Sequence, residues 1–570
     1  MPAGPGAFPG VSLTRPTMAG AAPAAARAFT RGANRVRMRL QPGCAAAAPP
    51  SPPAPLLPPS HPGGGRLTAW STRAWDRRRY RAGASPAPND APPPPDPGAA
   101  LLAWLASVGG SAPGVTIAPS PLGGAGLVAA SPASPGALLV TVPRAALLSD
   151  GGLPPNPTPE DAAALPFSPA AVAALAEQVP PELWGARLAL GLLAHRAAGS
   201  ASPLAPYVAA LPSTFSTPLF FSPAAVAALQ YAPLVAQVNK RARWVGRFAQ
   251  EHLDKDTALL PFSGVGVDAG GLAWALSAVT SRAFRLGGPA SLPSLVPVID
   301  MCNHEAGSPG ARVVPGLGGG ASLVAARELA AGEAVTISYG DGLTNDAFLN
   351  DYGFLPSPTN PADAVAVRLT GALLSASAAL AGLEPRADAG AAWRRAAAVG
   401  AGAGPAFSGE EGGGGGVEAK ITGSPPHAGP RLLAAARITA ATRPGDLGAG
   451  ASDPALLGDP ATPLTSPPAE AAAWRLVAAL CIGSLASFPT AATEDREVLK
   501  RGDLPPDVRA AAGLAAEKKE LLAGAGRWAG ARAQAAAAGG AGSGGGGATA
   551  PRPKGPPPAA TVKGFGKKTV

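Results

Sequence analysis

The sequence predicts an α+β protein in which a region of short strands is followed by a helical region. Short apolar runs such as VTIAP (115–119) and GLVAAS (126–131) are broken by Gly and Pro, which is typical of strands joined by turns. Longer segments, such as LWGARLALGLLAHRA (183–197), repeat their apolar residues at a spacing near 3.6 and predict helices. Pro-rich and Gly-rich stretches near both ends of the chain show neither pattern.

The N-terminal segment has the composition of an organelle transit peptide. Residues 1–82 contain twelve Arg, one Asp and no Lys or Glu, and they are rich in Ala, Ser and Pro. We therefore expect a transit peptide at residues 1–45, with cleavage after Arg37 or Arg39 or near its end. A Pro-rich linker is expected to follow at residues 46–99.

The positive charge is concentrated in this segment, which argues against a nucleic-acid-binding role. The chain carries +10, and the twelve Arg and one Asp of residues 1–82 supply +11, so the rest of the chain carries −1. The three cysteines, Cys44, Cys302 and Cys481, lack four-ligand Cys/His spacing and support neither a disulfide framework nor a zinc site. No run of about 18 apolar residues predicts a membrane span. We expect a soluble monomer without metal, nucleic acid or membrane partners.

The same patterns predict the elements of the first half in chain order. Folding is expected to start near Leu101 with a short helix. Ser-Pro pairs at Ser168 and Ser222 mark helix starts within an insert at about residues 160–270, because Ser caps a helix and Pro suits its first turn. The run Leu-Val-Pro-Val-Ile (295–299) predicts a strand that ends in polar residues.

The second half is predicted to be mainly helical. Two strands flank an Ala-Gly-Glu turn (331–333), and NDAFLNDYGF (345–354) predicts a short helix. The helical pattern returns over about residues 365–535. Three low-complexity stretches are expected to be disordered. They are two Gly/Pro-rich insertions, at 399–430 and 443–469, and a basic tail at 536–570.

Five short motifs carry the residues that predict a function. They are, in order, SRAF (281–284), DMCNH (300–304), YG (339–340), Asn345 and DYGF (351–354). In this order and spacing they resemble the SET domain of the Rubisco large-subunit methyltransferase class. The resemblance covers roughly residues 100–535 with gaps, since GGAGLVAA, the helical insert and the C-terminal helices also match that family's pattern.

The resemblance implies a fold and an activity. It implies a SET domain over residues 100–355, built of small β-sheets with a knot-like C-terminal segment and the helical insert. An all-α substrate-binding domain would follow over residues 365–535. The implied activity is methylation of a lysine in another protein with S-adenosyl-L-methionine. Together with the transit-like N-terminus, it predicts a chloroplast stromal enzyme, or alternatively a mitochondrial one, acting on Rubisco large subunit, fructose-bisphosphate aldolase or another stromal protein.

The resemblance also assigns roles to individual residues. The catalytic residues would be Tyr339 and Tyr352. The cofactor would be held by Gly123, Gly124, Ala125, Asn303, His304 and Tyr339, and the substrate by Arg282, Phe284, Asp300 and Tyr352. One position departs from the family pattern, because Gly123 stands where the usual E-G-x-G motif has its acidic residue.

The chemistry of methyl transfer explains why tyrosines suit such a site. Transfer from a sulfonium to an amine is an in-line displacement, so the enzyme mainly has to hold donor and acceptor within reach of each other. A free lysine, with a pKa of about 10.4, must first lose its proton, and burial beside a positive sulfonium lowers that pKa. Tyrosine hydroxyls accept weak C–H···O contacts from a methyl group without adding a charge. The Asn303 amide offers a donor and an acceptor to a zwitterionic amino-acid end.

Other interpretations stay open from the sequence. The two tyrosines and Phe284 could be core aromatics, and Arg282 and Asp300 could form a structural salt bridge. A sibling branch with the same fold methylates histidine in actin, and Asp-Met-Cys-Asn-His resembles that branch, although the tyrosine at 352 favours lysine. A third possibility is a non-catalytic binding scaffold, which the missing acidic residue motivates.

Overall fold

The computed structural model describes residues 96–541, apart from 121–123, 254–261, 263–266, 287–290, 357–359, 385–391 and 408–415. The expected transit peptide, nearly all of the linker, Gly123 and the tail beyond Ala541 lie outside the described residues. The first helix begins at Pro97, slightly before the predicted end of the linker.

Helices make up most of the described chain. Ser168 Oγ accepts the N–H of Ala171 at 3.3 Å, and Ser222 Oγ accepts that of Ala225 at 3.2 Å, so both predicted Ser-Pro helix starts are confirmed. The helices are α1 (Pro97–Ser107), α2 (Pro159–Ala163), α3 (Pro169–Glu177), α4 (Trp184–Ala198), α5 (Ala205–Ala210), α6 (Pro223–Ala228), α7 (Ala232–His252), α8 (Ala269–Arg282), α9 (Asn345–Ala347), α10 (Gly371–Leu380), α11 (Ala392–Gly400), α12 (Pro430–Ala440), α13 (Pro467–Ala486), α14 (Ala492–Leu499) and α15 (Pro506–Ala541).

Short strands form small sheets. They are β1 (Val115–Pro119), β2 (Ala125–Ala129), β3 (Leu138–Val142), β4 (Ala283–Phe284), β5 (Ser294–Leu295), β6 (Asn303–His304), β7 (Ala311–Pro315), β8 (Ala321–Ala325), β9 (Thr336–Ile337), β10 (Ala364–Leu369) and β11 (Val417–Thr422). The order β3-β8-β7 forms an antiparallel sheet, and β1-β2, β4-β5 and β10-β11 are antiparallel pairs. The pair β6-β9 is parallel. The two strands predicted around the Ala-Gly-Glu turn, β8 and β9, are present, but they do not pair with each other, because β8 pairs with β7 and β9 pairs with β6.

The predicted strand at residues 295–299 is wrong over most of its length. Within it only Leu295 belongs to a strand, β5, which pairs with β4. Pro297 has no N–H to donate, and Val298 adopts a φ of +71°, outside the strand region. The chain therefore enters a 3-10 turn at Ile299–Met301 before it resumes as β6.

The described residues pack into two hydrophobic cores, and the helical insert is divided between them. The first core joins α1, α4, α8 and the strands from β1 to β9, whereas the second joins β10, β11, α12, α13 and α15. Helix α7 contributes to both. Its Leu234 and Val238 lie in the second core, while Val245 and Phe248 lie in the first. The insert therefore connects the region of short strands to the C-terminal region.

The C-terminal region is mainly helical, but the all-α prediction missed the strand pair β10-β11. Strand β11 lies inside the stretch 399–430 that was predicted to be disordered. The strands AVAVRL and VEAKIT place β-branched residues at buried positions, which favours a strand that packs on a core. The Ala-rich composition of the region hides this alternation in the sequence.

The second stretch predicted to be disordered, residues 443–469, is ordered. Arg437 forms a buried ion pair with Glu470 at 2.8 Å. The same guanidinium donates to the carbonyls of Leu457 at 3.0 Å and Asp459 at 2.8 Å. Because a side chain satisfies these backbone groups, the stretch has a defined conformation, with 3-10 helices at Pro444–Ala451 and Pro454–Gly458 before α13 begins at Pro467.

Helix α13 is the one helix among the described residues that is long and apolar enough to cross a membrane by length and composition. Here it is a core helix, since it packs along α15 and buries Trp474, whose indole N–H donates to Glu470 at 2.8 Å. Helix α15 continues to Ala541, so residues 536–541 are helical rather than disordered. Their alanines favour continuation of the helix.

Candidate active site

Residues of four of the five predicted motifs line one pocket, whereas Asn345 and, apart from Tyr339, the described residues predicted to hold the cofactor do not line it. The end of α8 supplies the SRAF residues, the 3-10 turn supplies Asp300, and the residues after β9 and in a π-helical turn supply the tyrosines. The pocket is lined by Ser281, Arg282, Ala283, Phe284, Asp300, Ser338, Tyr339 and Tyr352. All four residues predicted to contact substrate, and both predicted catalytic tyrosines, therefore lie in one place.

The two tyrosines stack on each other. Their ring centroids are 4.7 Å apart, with 21° between the ring planes. The Tyr339 hydroxyl donates to the Cys302 carbonyl at 2.8 Å, which leaves the phenol oxygen free to accept. Burial raises the pKa of Tyr339 and raises that of Tyr352 to about 12, so both hydroxyls are neutral at physiological pH.

A parallel strand pair places His304 behind Tyr339. In this pair Asn303 lies opposite Thr336 and His304 opposite Ile337. The Tyr339 N–H donates to His304 Nδ1 at 3.2 Å, and the two ring centroids are 5.2 Å apart. Burial lowers the pKa of His304, so the imidazole is neutral with Nδ1 as the acceptor. His304 therefore helps to position Tyr339, a role that was not predicted from the DMCNH motif.

The glycine-rich turn lies against Asn303. A Cβ added at Gly126 would lie 2.7 Å from Asn303 Nδ2, so glycine is needed for the amide to approach this backbone. Gly124 has a φ of +61° with open space where a Cβ would stand, and Ala125 follows it as the first residue of β2. Gly123 lies outside the described residues. An approachable backbone beside an amide that can donate and accept fits the zwitterionic amino-acid end of S-adenosylmethionine.

Asp300 belongs to a buried hydrogen-bond network that includes Tyr207, a residue outside the predicted motifs. The Tyr207 hydroxyl donates to Asp300 Oδ2 at 2.6 Å. Arg282 Nη1 donates to the Asp300 backbone carbonyl at 2.9 Å and lies 3.7 Å from Oδ2. Arg282 and Asp300 therefore form the salt bridge that was considered for them and also line the pocket. Tyr207 lies in α5 of the insert, and its only signal in the sequence is that tyrosine is rare in this chain.

Two polar atoms of this network lack partners. Arg282 Nε and Asp300 Oδ1 are buried and make no hydrogen bond to any of the residues that the structure describes. Burial raises the pKa of Asp300, and the Arg282 guanidinium partly opposes that shift. Since buried polar atoms are normally paired, this donor and acceptor fit a polar ligand in the pocket.

Tyr352 is the last residue of the π-helical turn Phe348–Tyr352. Two residues of the insert contact the end of this turn. The Arg241 guanidinium of α7 donates to Asp351 Oδ1 at 2.7 Å. Gly353 closes the turn with a φ of +82°, and a Cβ there would lie 2.6 Å from Ser216 Oγ. The insert therefore encloses the turn that carries the tyrosine.

Among the described residues no group of three or more His, Cys, Asp or Glu side chains could hold a metal ion. Cys302 and Cys481 are both buried and free of disulfides. Burial raises the pKa of both thiols, that of Cys481 to about 12, so each is protonated at physiological pH.

Comparison with known proteins assigns the class of fold. Residues 406–522 match the family model described as Rubisco LSMT substrate-binding, and no curated protein matches the chain in sequence. The structure of Rubisco LSMT bound to AdoMet has a TM-score of 0.54 and 21% identity, covering 78% of this chain and 92% of that chain. The SET domain of LSMT bound to lysine and AdoHcy has a TM-score of 0.54 and 20% identity, covering 76% and 90%.

A third structure, Rubisco LSMT bound to sinefungin and monomethyllysine, gives a TM-score of 0.53 at 21% identity and covers 76% of this chain and 91% of that chain. The chain therefore has the SET-domain fold, as the motifs predicted. More particularly, its architecture is similar to that of Rubisco LSMT, with a SET region followed by a helical region that contains the matched substrate-binding segment.

Proposed function

We propose that this chain is an S-adenosyl-L-methionine-dependent protein-lysine N-methyltransferase. The observation that carries the proposal is the stacked pair of neutral phenols, Tyr339 and Tyr352, in a pocket also lined by Phe284 and Asp300. Its support is the similarity in fold to LSMT structures that hold AdoMet, or AdoHcy together with lysine or methyllysine.

Residues beside the pocket, as well as residues that line it, offer groups that could hold the cofactor. Asn303 and the backbone near Gly126 suit an amino-acid end that needs both donors and acceptors. Arg282 Nε and Asp300 Oδ1 would gain partners from a polar ligand. When bound, S-adenosylmethionine supplies a methyl group on a positively charged sulfur.

The tyrosines would select the neutral form of a lysine amine. Their hydroxyls are uncharged and accept weak hydrogen bonds, so they orient an amine without the ion pair that a carboxylate would offer to an ammonium. Burial between aromatic rings removes water from the amine and lowers its pKa. Two hydrogen bonds, to Cys302 and His304, hold Tyr339 in place before any substrate arrives.

We infer that the substrate is a chloroplast stromal protein, such as Rubisco large subunit or fructose-bisphosphate aldolase. The match of residues 406–522 to a Rubisco LSMT substrate-binding model supports this inference. Incubation of the recombinant mature protein with labelled S-adenosylmethionine and stromal extract, followed by mass spectrometry, is expected to place label on a lysine. The Tyr352→Phe variant, assayed in parallel, should lose most of the label.

Two other results, one from this experiment and one from calorimetry, would replace the proposal. Label on a histidine would show that this chain has the activity of the histidine-methylating branch. A folded protein that binds no S-adenosylmethionine by calorimetry would support the scaffold interpretation.

We propose import into chloroplasts, with mitochondria as the alternative. The twelve Arg and single Asp of residues 1–82 support a transit peptide. A fusion of residues 1–82 to a fluorescent reporter is expected to accumulate in chloroplasts, and the same fusion without residues 1–45 should remain in the cytosol. Cytosolic fluorescence of the complete fusion would refute import.

A further inference from the structure

The segment that supplies Tyr352 is held by the C-terminal region as well as by the insert and α8. Leu349, in its π-helical turn, is fully buried in the second core, and Leu355, just after the turn, packs against that core. By contrast, Phe284 and Tyr339 pack against the first core. The segment that carries Tyr352 therefore packs on the second core through Leu349 and Leu355, whereas Tyr339 packs against the first.

Lys518 of α15 anchors the beginning of this segment. Its side chain is fully buried, and Nζ contacts Asp346 Oδ1 at 2.5 Å, Asp363 Oδ1 at 2.6 Å and the Ala364 carbonyl at 2.7 Å. These acceptors satisfy the three donors of a buried ammonium. Asp363 Oδ1 also accepts the backbone N–H of Asn345 at 2.8 Å, so one carboxylate links α15 to α9.

Asn345, a motif residue that does not line the pocket, belongs to the same connection. Its Nδ2 donates to Glu517 Oε2 at 2.7 Å, and its Oδ1 accepts from Asn360 Nδ2 at 2.9 Å. Asn345 is buried. Two adjacent residues of α15, Glu517 and Lys518, thus hold two adjacent residues, Asn345 and Asp346, at the start of the segment that ends in Tyr352.

We propose that Lys518 and Glu517 are positioning residues that set the place of Tyr352, so that the C-terminal region takes part in methyl transfer in addition to contacting the substrate protein. The kinetic consequence rests on the proposed function. α9 and the π-helical turn form one continuous helical segment from Asn345 to Tyr352, so a shift at its start moves the tyrosine. A misplacement of about 1 Å at a reacting centre can lower a rate by about 100-fold.

The test compares Lys518→Met with Lys519→Met. Lys519 is the next residue of α15 and is equally buried, and its Nζ contacts Gln230, Thr490 and Asp495. None of these three residues belongs to the segment that carries Tyr352. Both variants remove one buried ammonium from the same helix, so both should unfold at a lower temperature than the unaltered protein.

Of these two variants, only Lys518→Met is expected to slow the reaction on a lysine-containing peptide. Its kcat should fall by about tenfold or more, with little change in the KM for the peptide. Lys519→Met should keep the kcat of the unaltered protein. Glu517→Leu, which removes the acceptor for Asn345, should lower kcat in the same direction as Lys518→Met. Asp346→Asn, a milder change to the same ion cluster, replaces Lys518→Met if the latter does not fold.

Amide hydrogen exchange of residues 345–354 provides a readout that needs no activity. Exchange there should be faster in Lys518→Met than in Lys519→Met, because the start of the segment is released. Equal exchange in the two variants, or an unchanged kcat in Lys518→Met, would overturn the inference. If the unaltered protein methylates no lysine, the proposed function fails, whereas the exchange experiment still decides whether Lys518 holds this segment.

Discussion

Replacing Tyr339 with Phe is expected to lower the rate of methyl transfer by about 100-fold or more, the typical effect of removing one pre-positioned polar group from an active site. The ring would still stack on Tyr352, whereas the hydroxyl that donates to the Cys302 carbonyl at 2.8 Å would be lost. The oxygen that could accept weak contacts from the transferred methyl group would disappear with it. The single-turnover rate constant with a lysine peptide measures the effect.

Cofactor affinity and folding provide the control for this variant. Loss of the hydrogen bond to the Cys302 carbonyl should cost only about 1 kcal/mol of stability, so the protein should remain folded. Calorimetry should still find S-adenosylmethionine bound, since the Tyr339 backbone and ring position, Asn303 and the glycine-rich turn are retained. A transfer rate equal to that of the unaltered protein would contradict the role assigned to the hydroxyl.

Gly353→Ala is expected to destabilise the protein by about 3 kcal/mol and to remove most of the activity. Gly353 has a φ of +82°, which a residue with a side chain adopts only with strain. The new Cβ would also lie 2.6 Å from Ser216 Oγ and 3.0 Å from Thr217 N, closer than such contacts allow. Relief of this clash would move the adjacent Tyr352. Thermal unfolding and the methylation rate measure the two effects.

Gly342→Ala is the matched control for this substitution. Gly342 has a φ of +84°, nearly the same as Gly353, but no atom lies within 4 Å of the position that a Cβ would take. Only the conformational cost of about 1 kcal/mol should therefore appear. Equal losses of stability in the two variants would show that crowding at Ser216 has no influence.

The residues of the pocket could be predicted because short motifs carry them. SRAF and DMCNH each place several functional side chains within five positions, and their chemistry follows from residue type. The glycine-rich segment was predicted to hold the cofactor, and in the structure its Gly126 lies against Asn303. The Ser-Pro helix starts were equally accessible, because a cap acts on a donor only three residues away.

Contacts between distant parts of the chain could not be predicted in the same way. Tyr207 reaches Asp300 across 93 positions, and Lys518 reaches Asp363 across 155. Neither pair forms a motif, since nothing in the local sequence says which partner a buried polar group will find. The interruption of the strand at Val298 was likewise hidden, because its positive φ is imposed on a residue that by itself favours strands.

Patterns within about ten positions predicted most of the helices, and the resemblance carried by the short motifs predicted the class of fold and five of the residues that line the pocket. The sharing of the insert between two cores and the order of the stretch 443–469 follow from tertiary contacts. Tertiary contacts also bring the ring of Tyr339, which packs against the first core, onto that of Tyr352, whose segment packs on the second through Leu349. The physical reason is that burial and ion pairing are decided by the neighbours that packing brings together, and these neighbours are distant along the chain.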